Sequence, residues 1–175
     1  MEEQRILAIN PGSTSTKIAV YQGSKSIFLK NIKHSAEDLQ PFKKIVDQFS
    51  FRKDIILKEL KDADIRIDLI TAVVGRGGLV KPIESGVYEV NEQMINDLHE
   101  SKLGEHASNL GGLIAQNIAE SLEGARAFIA DPVVVDEMLD VARYTGHPKF
   151  IRHSIFHALN QKAIARKHSK SVDQP

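Results

Sequence analysis

Two short apolar runs enclose a polar turn near the start of the chain, and no other stretch constrains the fold as much. Residues 6–9 predict a buried strand, and residues 18–21 predict its antiparallel partner. The turn between them contains Asn, Pro and Gly, four hydroxyl side chains and Lys17. A plain hairpin needs only two turn residues. The additional residues indicate a turn with a function of its own.

The composition of this turn suits the binding of phosphate. Small residues let backbone N–H groups approach an anion, hydroxyl groups add donors, and Lys17 adds a positive charge. An ordinary polar hairpin turn explains the same residues about as well. A P-loop does not, because that motif requires Gly directly before the Lys and a helix after it. Here Thr16 precedes Lys17, and a strand is predicted to follow.

The rest of the chain predicts one mixed α/β domain in which strands and helices alternate. Ser35 is expected to cap a helix, with Asp38 completing a capping box, and helices are expected over residues 36–60 with a break near Ser50. Asn91 is expected to cap the helix that begins at residue 92, and Asp136 and Glu137 are expected to cap a short helix. The remaining predicted elements are strands at 26–32, 65–74, 87–90 and 127–130 and helices at 92–100, 109–122 and 158–167, followed by a frayed polar tail at 168–175.

Polar side chains follow two of the predicted strands. Arg76 lies between glycines after the strand at 65–74, which we expect to be buried on both faces, and Asp131 follows the strand at 127–130. Ligands of open α/β sheets bind beyond the carboxyl ends of strands. We therefore expect Arg76 to bind a carboxylate or phosphate and Asp131 to position magnesium through water. A solvated loop arginine, and a turn cap before Pro132, are the alternatives.

Composition argues against several classes of binding partner and of structural feature. Lys plus Arg equals Asp plus Glu, at 23 each, so charge gives no case for nucleic acid or an anionic membrane as partner. The longest apolar runs are well short of the roughly 20 residues of a membrane helix. Cysteine is absent, which excludes disulfides and thiolate metal sites. The chain begins with charged residues and no signal-like apolar segment follows, so we expect a cytoplasmic protein.

Five blocks resemble, in order and in spacing, the butyrate kinases and their branched-chain acid kinase relatives. This family belongs to the superfamily of acetate and sugar kinases, heat-shock ATPases and actin. The blocks are residues 10–17 (NPGSTSTK), 74–79 (VGRGGL), 104–111 (GEHASNLG), 128–137 (FIADPVVVDE) and 154–163 (SIFHALNQKA). The chain departs from the family in length, because family members carry a second domain that supplies most of the nucleotide pocket.

The resemblance implies an α/β fold of the actin-like ATPase, ribonuclease-H-like type. In this fold a mixed sheet opens with an antiparallel three-stranded hairpin sheet and is flanked by helices. We expect residues 1–157 to form the N-terminal actin-like ATPase domain. Residues 158–175 are expected to begin the interdomain helix and tail, with the second domain absent from this chain.

The resemblance also implies an activity, namely reversible phosphoryl transfer between ATP and butanoate that gives butanoyl phosphate and ADP, with Mg²⁺. The implied phosphate-binding residues are Asn10, Ser13, Ser15 and Lys17. The implied substrate-binding residues are Arg76 and His106, and the implied catalytic residues are Arg76, Asp131 and His157. Asn10 and Asp131 are the implied magnesium residues, and orienting the acyl phosphate is the other role implied for Asp131.

Two other functions remain open. One is a kinase for another acid, such as acetate, propionate, isobutyrate or a branched-chain acid, since one methylene changes binding by only ~1–3 kcal/mol. The other is a non-catalytic half-protein that binds a partner chain or phosphate. For the kinase, the expected partners are a small carboxylate and a nucleotide, with no nucleic acid or membrane, and a homo-oligomer in the full-length family form. We expect the 175-residue chain alone not to turn over at a kinase rate.

Overall fold

A computed structural model describes residues 4–155 and 157–173. Six strands form one sheet in the order β3-β2-β1-β4-β6-β5. The strands are β1 (Arg5–Pro11), β2 (Ser15–Gln22), β3 (Lys25–Lys33), β4 (Ile70–Arg76), β5 (Val87–Glu89) and β6 (Arg126–Ala130). The helices are α1 (Ala36–Leu39), α2 (Phe49–Asp62), α3 (Glu92–His99), α4 (Asn109–Glu120), α5 (Asp140–Arg143) and α6 (Ala158–Val172). Short 3₁₀ turns lie at Val46–Gln48 and Ile67–Leu69.

The sheet is mixed, and the predicted opening hairpin sheet is confirmed. Strands β1, β2 and β3 pair antiparallel, with Ile9 opposite Ile18 in the first pair. Strand β4 then pairs parallel with β1 and with β6, and β5 adds an antiparallel edge. The carboxyl ends of β1, β4 and β6 therefore meet at one edge of the sheet.

Helix α4 packs directly against the centre of the sheet. A Cβ added to Gly75 on β4 would lie 2.2 Å from the backbone carbonyl of Gly111 on α4, so only glycine permits this approach. Ile114, Ala115, Ile118 and Ala119 of α4 are buried, as their helical spacing predicts. The core on this face holds strand and helix side chains together: Leu7, Ile9, Ile18, Val20, Ile56, Leu60, Val73, Leu98, Leu110, Ile114 and Ile129.

The opposite face of the sheet is less covered, so the expectation that β4 is buried on both faces was wrong. Val73 is fully buried, whereas Val74 is only partly buried. Val74 lines a shallow cavity with Ala8, Ala19 and Leu159 of α6. Leu29 on this part of the sheet is 73% exposed. The strand thus alternates between a covered and an open face, as a half-buried strand does.

Several predicted boundaries were also wrong. Helix α1 ends at Leu39 and α2 begins at Phe49, so the break precedes Ser50, because Pro41 has no N–H to continue the first helix. Strand β4 begins at Ile70 instead of residue 65, after a 3₁₀ turn. Helix α6 extends to Val172, where a frayed tail was expected, and residues 174–175 of that tail lie outside the described residues.

The acidic pair after β6 does not cap a helix. Asp136 forms an ion pair with Arg143, at 2.9 Å between Oδ2 and Nη1, and Glu137 forms one with Lys162 of α6. Helix α5 starts after Leu139 with no side-chain cap. The predicted capping box at Ser35 and the cap at Asn91 are both confirmed. In the described part of the chain, no helix has the length and apolar character needed to span a bilayer.

Candidate active site

Three predicted site residues stand at the ends of the three parallel strands. Asn10 is near the end of β1, Arg76 is the last residue of β4, and Asp131 directly follows β6. Since these strands run in the same direction, their side chains meet at one edge of the sheet. This is the edge at which ligands bind in open α/β sheets.

The hairpin between β1 and β2 forms one wall of this edge. Lys17 stands directly opposite Asn10 in the antiparallel register. Side chains alternate along β2, so Ser15 and Lys17 lie on one side while Thr16 is completely buried on the other. The turn closes with the N–H of Gly12 donating to the carbonyl oxygen of Ser15 at 2.7 Å.

These residues enclose a cavity of about 320 Å³. Seven of the eight predicted site residues line it, and Asp131 lies beside it, lining an adjoining cavity with Asn10, Lys17 and Arg76. Gly77 and Ser108 are further lining residues, which the sequence did not single out. The seven predicted residues on the cavity wall are Asn10, Ser13, Ser15, Lys17, Arg76, His106 and His157.

Asp131 is the centre of a charged cluster. It is 7% exposed, and its Oδ2 accepts hydrogen bonds from Nη2 and Nε of Arg76 at 3.0 and 3.2 Å. Its backbone has φ +52°, in the left-handed region that Asp and Asn enter more easily than most residues. The ion pair therefore holds Arg76 in place beside the cavity. Asp131 thus lies in a turn with left-handed backbone and also pairs with Arg76.

His157 joins the same cluster from the start of α6. Its Nδ1 lies 3.1 Å from the carbonyl oxygen of Asp131 and 3.2 Å from its Oδ2. Both partners are acceptors, so Nδ1 carries a proton. Nε2 then carries a proton only in the imidazolium form.

His106 also lines the cavity, from the loop before α4. The backbone N–H of Ser108 donates to Nδ1 of His106 at 3.2 Å, and the Ser108 hydroxyl lies 2.7 Å from the same nitrogen. Because Nδ1 is an acceptor, a neutral His106 carries its proton on Nε2. Its Nε2–H can then donate to an anion. Gly77, at φ +87°, lets β4 end close to Ser108, since a Cβ there would come within 2.7 Å of the Ser108 Cβ.

A buried arginine behind the hairpin turn was missed from the sequence. Arg52 of α2 is 1% exposed and hydrogen-bonds to the turn. A signal for its burial is present in the sequence, because Arg52, Ile56 and Leu60 recur every four residues and all three face the core. Near it, Nε2 of the buried His34 lies 2.9 Å from Thr16 Oγ1. Burial and the charge of Arg52 lower the pKa of His34.

Two observations bear on other sites. A larger cavity, of about 890 Å³, lies between α2, α3 and α4, and none of the predicted site residues lines it. Within residues 4–155 and 157–173, no group of three or more His, Cys, Asp or Glu side chains could hold a metal ion.

Comparison with known proteins places this geometry in context. No family model matches the chain. The chain is 56% identical over 170 residues to butyrate kinase 2 of Clostridium acetobutylicum, which covers 97% of this chain and 48% of the relative. It is 55% identical over 168 residues to butyrate kinase 1 of the same organism, covering 96% and 47%. The chain thus spans about half the length of the curated relatives it matches.

Solved structures show the fold. A propionate kinase from Francisella tularensis superposes with a TM-score of 0.62 at 16% identity, covering 98% of this chain and 50% of that one. An acetate kinase from Porphyromonas gingivalis superposes with a TM-score of 0.66 at 15% identity, with the same coverage. The predicted mixed α/β fold class is confirmed. The chain is a homologue of the butyrate kinases over nearly all of its own length, and it has the fold of one half of the acetate and propionate kinases.

Proposed function

We propose that this chain forms the phosphate- and acid-binding domain of a carboxylate kinase that reversibly transfers a phosphoryl group between ATP and butanoate. The observation that carries the proposal is the meeting of seven polar or basic side chains around one cavity of about 320 Å³ at the carboxyl edge of the sheet. Phosphoryl transfer depends mainly on positioning and on neutralising charge. A cavity lined in this way supplies both.

Arg76 is the proposed anchor for the acid. Its guanidinium is held by Asp131 through Nε and Nη2, and its side chain remains 35% exposed beside the cavity. Hydrogen bonds from a fixed guanidinium to a carboxylate or phosphate are stronger and more directional than those of a free lysine. Nε2–H of His106 is the proposed second donor to the same group. Asn10, Ser13, Ser15 and Lys17 are the proposed partners of the phosphoryl oxygens.

His157 is the proposed stabiliser of the moving phosphoryl group. Because its Nδ1 is used by Asp131, it can donate to a phosphoryl oxygen from Nε2 only as the imidazolium. Asp131 then has a definite part, since its carbonyl and carboxylate oxygens orient the ring. This charge would add to that of Lys17, which lines the same cavity.

Magnesium is implied by the fold family, and the donor set suits an ion held through water. Asp131 is the carboxylate of the site, its Oδ2 is occupied by Arg76, and its Oδ1 has one long contact, 3.4 Å from the N–H of Asn160. Magnesium commonly keeps several waters and uses one or two carboxylates with substrate phosphates. Asp131 and the Asn10 amide are the proposed partners of those waters. When bound, the ion would supply further charge neutralisation.

Butanoate is the proposed acid because the relatives of this sequence are named butyrate kinases. The cavity volume lies at the low end of the range for small-molecule sites, as a short acyl phosphate requires. Acetate, propionate, isobutyrate and branched-chain acids remain rival substrates. A comparison of kcat/KM among these acids, in a chain that carries both halves of the kinase, decides between them.

The division of labour between the halves is part of the proposal. The matched relatives are about twice as long as this chain. We propose that residues 1–157 form the first domain and that α6 leads to a second domain, which completes the nucleotide site. From the similarity to the butyrate kinases we also propose that the full-length form is a homo-oligomer and is cytoplasmic.

The test measures the binding of butanoyl phosphate to the 175-residue chain by NMR titration, with freshly prepared butanoyl phosphate. Arg76→Ala should weaken binding at least tenfold, about the loss of one charge-assisted bidentate contact. Arg66→Ala is the matched control, since Arg66 is an exposed arginine whose ion pair with Asp68 lies outside the cavity. Equal affinities of the two variants, or shifts that avoid residues 10–17 and 104–108, would contradict the proposal.

A further inference from the structure

A guanidinium group is buried behind the turn that joins β1 and β2. Arg52 is 1% exposed, and its Nη1 donates to the carbonyl oxygens of Gly12, at 2.7 Å, and Ser15, at 3.3 Å. Its Nη2 donates to the carbonyl oxygen of Ser13 at 3.1 Å. Three carbonyl groups of the turn thus accept hydrogen bonds from one arginine, which lies 37 to 40 residues further along the chain.

The rest of the guanidinium is also fully bound. Nη1 donates to Thr16 Oγ1 at 3.1 Å, and Nε and Nη2 donate to Gln48 Oε1 at 2.9 and 2.8 Å. These partners are a hydroxyl and an amide, both neutral. The guanidinium is planar and its N–H groups point in fixed directions. Hydrogen bonds to all of these acceptors at once therefore fix its orientation.

The positive charge of Arg52 has no acidic partner in the part of the chain that the structure describes. None of the ion pairs among residues 4–155 and 157–173 includes it. Burial lowers the pKa of its guanidinium, yet an arginine stays protonated in proteins at neutral pH. A buried charge is costly when it lacks a counter-charge. A chain that keeps one beside an anion site gains an attraction for the anion.

The hydrogen bonds also determine which way the turn faces. In a trans peptide, the C=O and the following N–H point in opposite directions. With the carbonyls of Gly12 and Ser13 directed at Arg52, the N–H groups of Ser13 and Thr14 point away from it. Gly12 and Ser13 line the cavity, whereas Arg52 does not. The guanidinium therefore turns the amide donors of the turn outward.

We propose that Arg52 is a positioning residue for phosphate binding, which holds the turn carbonyls inward and adds an uncompensated positive charge behind the turn. This inference rests on the proposed function, because it assigns the turn to a phosphoryl group. Arg52 makes no contact with the cavity, so it acts through the turn and through its electrostatic field. The chemistry served is that of any phosphate monoester or acyl phosphate.

The experiment compares variants of the 175-residue chain by NMR titration with inorganic phosphate at constant ionic strength. Arg52→Met removes the charge and the hydrogen bonds, and should raise the dissociation constant at least tenfold. Arg52→Lys keeps the charge and loses the fork, and should raise it about threefold. Lys61→Met, an exposed lysine about 13 Å further along the same helix, is the control for loss of one charge and should leave the constant within twofold.

A second measurement separates positioning from mere stability. Amide chemical shifts of residues 12–16 without phosphate should move in Arg52→Met, and methylguanidinium should restore affinity in Arg52→Ala, with methylammonium as the control. Should Arg52→Met fail to fold, Gln48→Leu frees one side of the fork and should weaken phosphate binding two- to threefold.

The outcomes distinguish the two proposals. If a folded Arg52→Met or Gln48→Leu variant binds phosphate within twofold of the wild-type affinity, the role of Arg52 is overturned. The proposed function is then left intact. A wild-type chain whose cavity does not bind phosphate overturns both.

Discussion

The contact between β4 and α4 allows a quantitative prediction for Gly75→Ala. The new Cβ would lie 2.2 Å from the carbonyl C and O of Gly111 and 2.8 Å from the backbone N of Gly112. Ordinary van der Waals contact begins near 3.4 Å, so the helix must move by about 1 Å or more. The obstacles are backbone atoms, which cannot rotate away as a side chain can.

The expected loss follows from these distances. Overpacking of a well-packed core costs about 1–3 kcal/mol, occasionally more, and a backbone obstacle puts this site at about 3 kcal/mol. Replacing Gly by Ala restricts the unfolded chain and returns about 0.4–1 kcal/mol. The net loss is about 2–3 kcal/mol. For a chain of this size, each kcal/mol lowers Tm by about 2–4 °C, so Tm should fall by about 4–12 °C.

The assay is thermal and urea unfolding of Gly75→Ala beside Gly146→Ala. Gly146 has an ordinary φ and no atom within 4 Å of an added Cβ, so its variant reports the unfolded-state effect alone and should be unchanged or slightly more stable. Phosphate affinity should also fall in Gly75→Ala, because a displaced α4 carries Ser108 and His106 away from Arg76. A Tm of Gly75→Ala within 2 °C of the wild type would refute the reasoning.

Two further predictions concern the residues that follow β6. Asp131→Asn and Asp131→Ala both lose the ion pair with Arg76, but alanine at φ +52° costs about 1 kcal/mol more, so urea unfolding should find Asp131→Ala the less stable; the opposite order would show that the left-handed backbone is not the cause. The hydrogen bond from Lys162 is the main reason that the pKa of Glu137 falls from 4.5 to about 2. A lowered pKa contributes stability that is fully present above pH 4.5 and is lost as the pH falls towards 2. Glu137→Gln should therefore be less stable than the wild type at pH 6, and the difference should shrink between pH 4.5 and 2; a difference independent of pH would contradict the assignment.

Local sequence determined the elements of this protein and the positions of its polar residues. Continuous apolar runs predicted β1 and β2, alternating apolar residues predicted β3, and Ser35 and Asn91 were predicted as helix caps, because these signals depend on neighbours a few residues apart. The resemblance over five blocks added the fold class. Strand ends at Arg76 and Asp131 followed from the apolar runs that precede them.

Boundaries were less predictable where local signals conflict with tertiary packing. Helical spacing continued across residues 39–49, yet Pro41 cannot continue the first helix, and the segment forms a short helix, a 3₁₀ turn and the start of α2. Asp136 and Glu137 had the composition of a helix start. Instead, Asp136 forms an ion pair with Arg143, and Glu137 forms one with Lys162, 25 residues away in sequence.

Only the tertiary structure decided which groups meet. The pairing of Arg76 with Asp131, 55 residues apart, exists because β4 and β6 run parallel and end at the same edge. The attachment of Arg52 to the turn at Gly12, 40 residues away, exists because α2 packs behind the hairpin. Periodicity reports which face of an element is buried, but it does not report what that face touches. The sequence by itself therefore determined the elements and their polar residues, and the packing of the sheet decided their partners.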